Sequence, residues 1–159
     1  MERTARPTGD HDVPVPVPDD ARPTPWQALD GLDLALRLPH DASSATALRH
    51  SVGGLAFALG LARAIVADVR QALTEISGAL LQSVPDGADG DLEVDVRVRG
   101  NRLEVRLLDR GAVMPAMPEH PLSLALVAAL SDTVKVRRPP EGGVEVLVVF
   151  DLGPARPAG

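Results

Sequence analysis

From Leu32 onward the chain is written in two alternating rhythms. Leu34, Leu36 and Leu38 alternate with Ala35 and Arg37, the period-two pattern of a strand with one buried face, and Pro39 ends it. Asp41, Ser43 and Ser44 then offer side-chain oxygens to cap a helix. Its apolar positions, Ala45, Leu48, Val52, Leu55 and Leu59, recur mostly three or four residues apart. Gly53 and Gly54 lie inside it, each costing about 1 kcal/mol relative to alanine, so close packing is expected there, and Gly60 suits the stop. The next helix has the clearest pattern: Ala62, Ile65, Val66, Val69, Ala72, Leu73, Ile76, Ala79 and Leu80 keep one apolar face until Pro85. After a turn at Asp86 to Gly90, two alternating strands follow, Leu92 to Val98 and Leu103 to Leu107. They are joined at Gly100-Asn101 by a tight turn of the primed type. An irregular Pro-rich stretch from Ala112 to Pro121 leads to a short apolar helix, Leu122 to Leu130. A last hairpin, Thr133 to Arg137 and Val144 to Leu152, folds around Pro139-Pro-Glu-Gly-Gly143.

This order predicts an α+β fold: a two-layer sandwich of a mixed, mostly antiparallel sheet covered on one face by about three helices. The domain is expected over residues 32–152. Residues 1–31 carry Pro7, Pro14, Pro16, Pro18, Pro23 and Pro25 and read as a disordered tail. Its Val-Pro repeats favour extended polyproline II, and residues 153–159 read as a second disordered tail.

Composition narrows the chemistry. Hydrophobic residues make up 45% of the chain and aromatic ones 2%, so the core is built from Leu, Val and Ala. Few aromatics and a formal net charge of -6 argue against nucleic acid as a partner. With no cysteine, disulfides, thiolate metal sites and cysteine nucleophiles are excluded. His40, His50 and His120 are scattered with no pair one helical turn apart, so no metal site is expected from them. Ser43, Ser44 and Ser51 have no His-Asp partners by pattern. No apolar run is long enough for a membrane span, and Met1 to Asp20 is polar, so the default expectation is a soluble cytoplasmic protein.

Two acidic positions stand out. Glu75 sits in the second helical pattern, and Asp109 closes an alternating strand just before Arg110-Gly111. A carboxylate at a strand end can accept an adenine amino group, and a glycine lets backbone approach the ring. The plainer readings are a solvated helix residue and a turn former, and both stay open from the residues alone.

The chain resembles the histidine-kinase-like (GHKL) ATPase domains, and within them the bacterial anti-sigma factor serine kinases. The segments that carry the resemblance are Arg49 with the run ending Leu59-Gly-Leu61, Asp68-Val-Arg-Gln-Ala-Leu-Thr-Glu75, Val105-Arg-Leu-Leu-Asp109-Arg-Gly111, and Leu126-Val-Ala-Ala-Leu-Ser-Asp132. The resemblance implies a Bergerat-type ATPase fold, ATP and magnesium as ligands, Glu75 as the catalytic base, and Asp109 with Gly111 as the nucleotide-binding box. It also departs from the family. Ala79 stands where a magnesium-binding asparagine is expected, and alanine has no oxygen to offer. His120-Pro-Leu-Ser-Leu-Ala-Leu126 has no glycine where a glycine-rich phosphate box is expected, and Met114-Pro-Ala-Met-Pro118 replaces the lid glycines. The expectation is therefore an anti-sigma-factor-like regulator, a pseudokinase with weak or lost ATP binding. It would bind a sigma factor or a STAS-type anti-anti-sigma protein, with a homodimer admitted by the resemblance. The alternative is an active ATP-dependent serine/threonine kinase phosphorylating such a partner.

Overall fold

The structure is a computed structural model that describes residues 31–84, 90–112 and 121–153, with the side chains of 121 and 122 left aside. The expected tails, apart from Gly31 and Gly153, lie outside the described residues, as do most of the turn before Gly90 and the stretch holding Met114, Pro115 and Pro118. The elements run β1 (Asp33–Pro39), α1 (Ala42–Ala58), α2 (Arg63–Gln82), β2 (Asp91–Arg99), β3 (Arg102–Asp109), α3 (Pro121–Leu130), β4 (Thr133–Arg137) and β5 (Val144–Asp151). The five strands form one sheet in the order β1-β2-β3-β5-β4, and all four pairings are antiparallel. The mixed sheet expected from the sequence thus has no parallel pair among the described strands. β2–β3 and β4–β5 are hairpins; α1 and α2 connect β1 to its neighbour β2, and α3 carries the chain from β3 to the edge strand β4, from which β5 returns to lie beside β3.

Local sequence sets the ends of these elements. Asp41 caps α1 with its Oδ1, accepting from the amides of Ser43 at 2.7 Å and Ser44 at 3.3 Å and from the Ser43 hydroxyl. The Ser43 hydroxyl bond, then its amide, hold the Asp41 carboxyl below the usual carboxylate range. At the other end Gly60 turns left-handed at φ 73, its amide bonding Phe57 O at 2.9 Å while Leu61 N reaches Ala56 O at 3.2 Å. That double bond is the Schellman stop, and glycine makes it without strain. In the β2–β3 hairpin Arg99 pairs with Arg102, and Gly100 alone of the two turn residues has positive φ, at 57. This fits the II′ member of the primed turns.

The helices cover one face of the sheet. Leu48, Val52, Val69, Leu73, Ile76 and Leu80 meet Val94, Val96, Val105, Leu107, Val146 and Val148, all fully buried. The period-two residues on the opposite face are mostly charged, with Leu108 and Leu147 among them, and the charged ones pair across strands. Arg37 bridges to Glu93 at 3.2 Å, and Arg106 lies between Asp95 at 2.8 Å and Glu145 at 2.7 Å. Arg137 closes on the other oxygen of Glu145. Glu145 is buried although it points away from the helices, because these guanidiniums lie over it. Burial pushes its carboxyl up, but the bonds from Arg137 and Arg106 outweigh that and hold it below its ordinary value.

A depressed folded value means that Glu145 stabilises the fold above the unfolded carboxylate value of about 4.5, and that this contribution fades as pH falls through the folded value. Glu145→Gln is expected to cost about 1 kcal/mol at neutral pH, moderated by the exposure of its arginine partners, and to flatten the acid limb of the melting-temperature profile. Thermal melts of the two proteins over the acid range check this; parallel profiles would refute it.

Candidate functional site

Asp109 is the last residue of β3, and its carboxylate is buried with no exposed surface. It is held by three donors. Oδ1 accepts from the amides of Gly111 at 2.9 Å and Ala112 at 3.0 Å. Oδ2 meets Nε2 of His40 at 2.6 Å. The first two bonds make Asp109-Arg-Gly111 a self-closed turn in which the aspartate orders its own following backbone. The third comes from the β1–α1 connection. Pro39 stops β1, Asp41 starts α1, and His40 between them is tucked inward, its side chain 11% exposed. Ser44, buried in the first turn of α1, donates to Pro39 O at 2.5 Å and fixes the connection from the helix side.

The backbone around this turn is crowded. A Cβ on Gly90 would stand 3.3 Å from Gly111 N, and one on Gly143 would stand 2.4 Å from Asp109 O. Two glycines from separate loops therefore bring main chain against the Asp109–Gly111 turn, one from before β2 and one from before β5.

Glu75 belongs to a different network. It lies on α2, its Oε1 accepting from Gln71 Nε2 at 2.8 Å along the same helix and its Oε2 from Ser123 Oγ of α3 at 3.1 Å. It marks the α2–α3 seam and is only partly buried. No hydrogen bond among the described residues joins this network to that of Asp109. Ala79, one turn further along α2, is buried in the core.

The histidine is the participant that sequence reading missed. His40 and Asp109 are 69 positions apart, and no periodicity or motif ties them. The only local signal is its position, between a strand-ending proline and a helix cap. Beside it a recess of about 410 Å3 opens between the start of α1 and the end of α2, lined by His40, Asp41, Ala42, Ala45, Gly78, Leu81 and Gln82. A second recess, about 300 Å3, lies on the charged sheet face around Arg106 and Glu145, where the ion pairs satisfy one another.

No protein-family profile matches the chain, and no curated protein matches it. A solved structure does. The crystal structure of the RsbU and RsbW domains of Rv1364c from Mycobacterium tuberculosis resembles the chain with a TM-score of 0.62 at 18% sequence identity, over 76% of this chain and 32% of that one. At that identity the likeness is one of fold: an α+β layer of helices on an antiparallel sheet. The chain spans about a third of the length of that protein, so the likeness concerns one layered unit and not the whole molecule.

The residues present can be held against the magnesium nucleotide that the sequence resemblance implies. An adenine amino group needs an acceptor it can reach, and the Asp109 carboxylate is enclosed and already holds three donors. A magnesium ion needs oxygen ligands, and buried Ala79 supplies none. As arranged, the described residues do not fit that ligand. The likeness of fold is retained, while the carboxylate expected to grip the base is used to hold the chain to itself.

Proposed function

We propose that the chain is an anti-sigma-factor-like regulatory protein of the partner-switching kind, in which adenine nucleotide binding is weak or lost. Its helical face would capture a sigma factor or a STAS-type antagonist. The observation that carries this reading is the closure of Asp109 by His40 and two backbone amides inside a fold shared with an RsbW-containing protein. Protein capture needs surface and charge, neither of which depends on a nucleotide. The chain's net charge of -6 suits a partner with basic determinants, such as a sigma factor's DNA-binding segments. Glu75, Asp109 and Gly111 then serve as inherited positions: the first at a helix seam, the other two as parts of a turn.

Calorimetric titration with ATP, with and without magnesium, is expected to give no saturable binding below about millimolar concentration, whereas a co-expressed sigma factor or STAS protein should co-elute with the chain. Micromolar magnesium-dependent binding would overturn the nucleotide half of the proposal, and elution of the chain free of either partner the other half. One observation favours the serine/threonine kinase reading: Glu75 is partly exposed and, among the described residues, held only by Gln71 and Ser123, so its carboxylate remains available as a base. Phosphate transfer to a STAS-protein serine, lost in Glu75→Ala, would establish that alternative.

A further inference from the structure

Phe57 lies at the end of α1 with 66% of its surface exposed, while nearly all other large apolar side chains among the described residues are covered. It forms one wall of a recess of about 310 Å3 with Val66 and Ala67, and Arg63 and Arg70 stand over that apolar floor. Neither guanidinium has a carboxylate within 4 Å among the described residues, in contrast to the paired arginines of the sheet face. Arg70 is also held in place. Its Cγ and Nε occupy the space where a Cβ on Gly53 would stand, at 2.6 and 2.4 Å, so the side chain lies flat across α1 at a glycine that makes room for it. The recess borders the first turn of α2, which starts at Arg63 with no side-chain cap and so places a cation where a helix prefers anions. An apolar floor, two guanidiniums beside it, of which Arg70 is held in place, and an uncapped helix start together call for a ligand that is apolar in its middle and acidic at its ends.

The chain carries such a segment. Val13-Pro-Val-Pro-Val-Pro18 is preceded by Asp12 and followed by Asp19-Asp20. We propose that this segment docks in cis on the Phe57–Arg63–Arg70 recess. Prolines alternating with valines present an extended apolar strip that needs little ordering, and aromatic-lined grooves take such strips. The carboxylates that flank it meet the guanidiniums. The attachment point is on the correct side. Gly31 N bonds Val98 O at 3.1 Å, which holds the start of the described chain beside the β2–β3 turn. Leu152 N bonds Asn101 O at that same turn, and Ile65 and Asp68 of α2 share a recess with Phe150 and Asp151. The first turns of α2 therefore stand at the end of the sheet where the preceding chain enters. The residues between Asp20 and Gly31 can span roughly 35 Å, more than the roughly 20 Å width of a five-stranded sheet. Tethering gives an effective concentration of about 1 mM, so an intrinsic dissociation constant of ~0.1 mM docks the segment about ten to one.

Trp26 is the only tryptophan, and it lies between the segment and the domain, so its anisotropy in the full chain reads docking directly. The pair Arg63→Glu with Arg70→Glu should weaken docking about tenfold, bring the docked and undocked forms near parity, and lower the anisotropy while speeding cleavage of the segment by protease. Asp19→Arg with Asp20→Arg should do the same, and the four changes together should restore both readouts. Phe57→Ala, at an exposed position that leaves the core intact, should release the segment as well. Anisotropy and cleavage that ignore all these changes would overturn the proposal, because the recess would then serve some other occupant. An anisotropy that falls on dilution would also overturn it, by assigning the recess to a second copy of the chain.

Discussion

Asp109→Ala should lower the folding free energy by about 3 kcal/mol, measured by urea unfolding. The estimate follows from what the substitution strands. The amides of Gly111 and Ala112 and the Nε2 of His40 all donate to this one buried carboxylate, Ala112 from a buried position and the other two from part-buried ones. A buried donor left without an acceptor costs roughly 1 to 3 kcal/mol, and partial relaxation of an end-of-strand turn keeps the total for the three donors near the top of that range and below their sum. A carboxylate whose task is to grip a purine behaves differently: in the free protein it faces water, and its removal abolishes binding at little cost in stability. The two roles thus separate in one experiment. Asp109→Asn is the sharper variant, because its amide oxygen can still accept from the two backbone donors, so its loss should be near 1 kcal/mol and arise chiefly opposite His40. A cycle combining it with His40→Ala should return a coupling of about 1 kcal/mol. Asp109→Ala within about 0.5 kcal/mol of the parent, with nucleotide binding lost, would restore the purine-gripping role.

This expectation differs from what the residues alone suggest, and the reason is physical. The layers were legible because helices and strands of an amphipathic sandwich advertise their buried faces. The alternation of Leu92, Val94, Val96 and Val98 and the stripe from Val66 to Leu80 survive intact as core. Caps were legible for the same local reason: Asp41 and Gly60 act within a few residues of themselves. The state of the candidate site was not, because it depends on a contact across the fold. Asp109-Arg-Gly111 reads alike whether its carboxylate looks out into a cleft or is closed by a histidine from the β1–α1 connection, and only the packing of that connection against the end of β3 decides it. Glu75 is an intermediate case. Its helix was evident and its partial exposure follows from its place at the margin of the stripe, but Ser123 as its neighbour needed the placement of α3. The charged outer face of the sheet was written in the period-two residues, yet the burial of Glu145 beneath two arginines was not, since alternation predicts only which way a side chain points.

Gly143→Ala is expected to destabilise the chain by about 3 kcal/mol, and for a reason that bears on the same turn. Gly143 has φ +84, a conformation that costs an L-residue roughly 1 to 2 kcal/mol. Its missing side chain is also the space in which the Asp109–Arg110 backbone lies: a Cβ would stand 2.4 Å from Asp109 O and 2.7 Å from Arg110 Cα. Backbone at the end of a central strand cannot step aside as a flexible side chain would, and forced expansion of a packed contact adds roughly 1 to 3 kcal/mol. Gly142 supplies the internal control. Its φ is +93, but nothing lies within 4 Å of its missing Cβ. Gly142→Ala should therefore cost only the conformational part, near 1 kcal/mol, and the difference between the two variants isolates the contact with Asp109. If that contact holds the turn in register for His40, then Gly143→Ala and His40→Ala act on one structure, and their combined cost should fall short of the sum of the two. Equal losses at positions 142 and 143 would show that the loop before β5 does not brace Asp109. The closed carboxylate would then rest on His40 and its own turn alone.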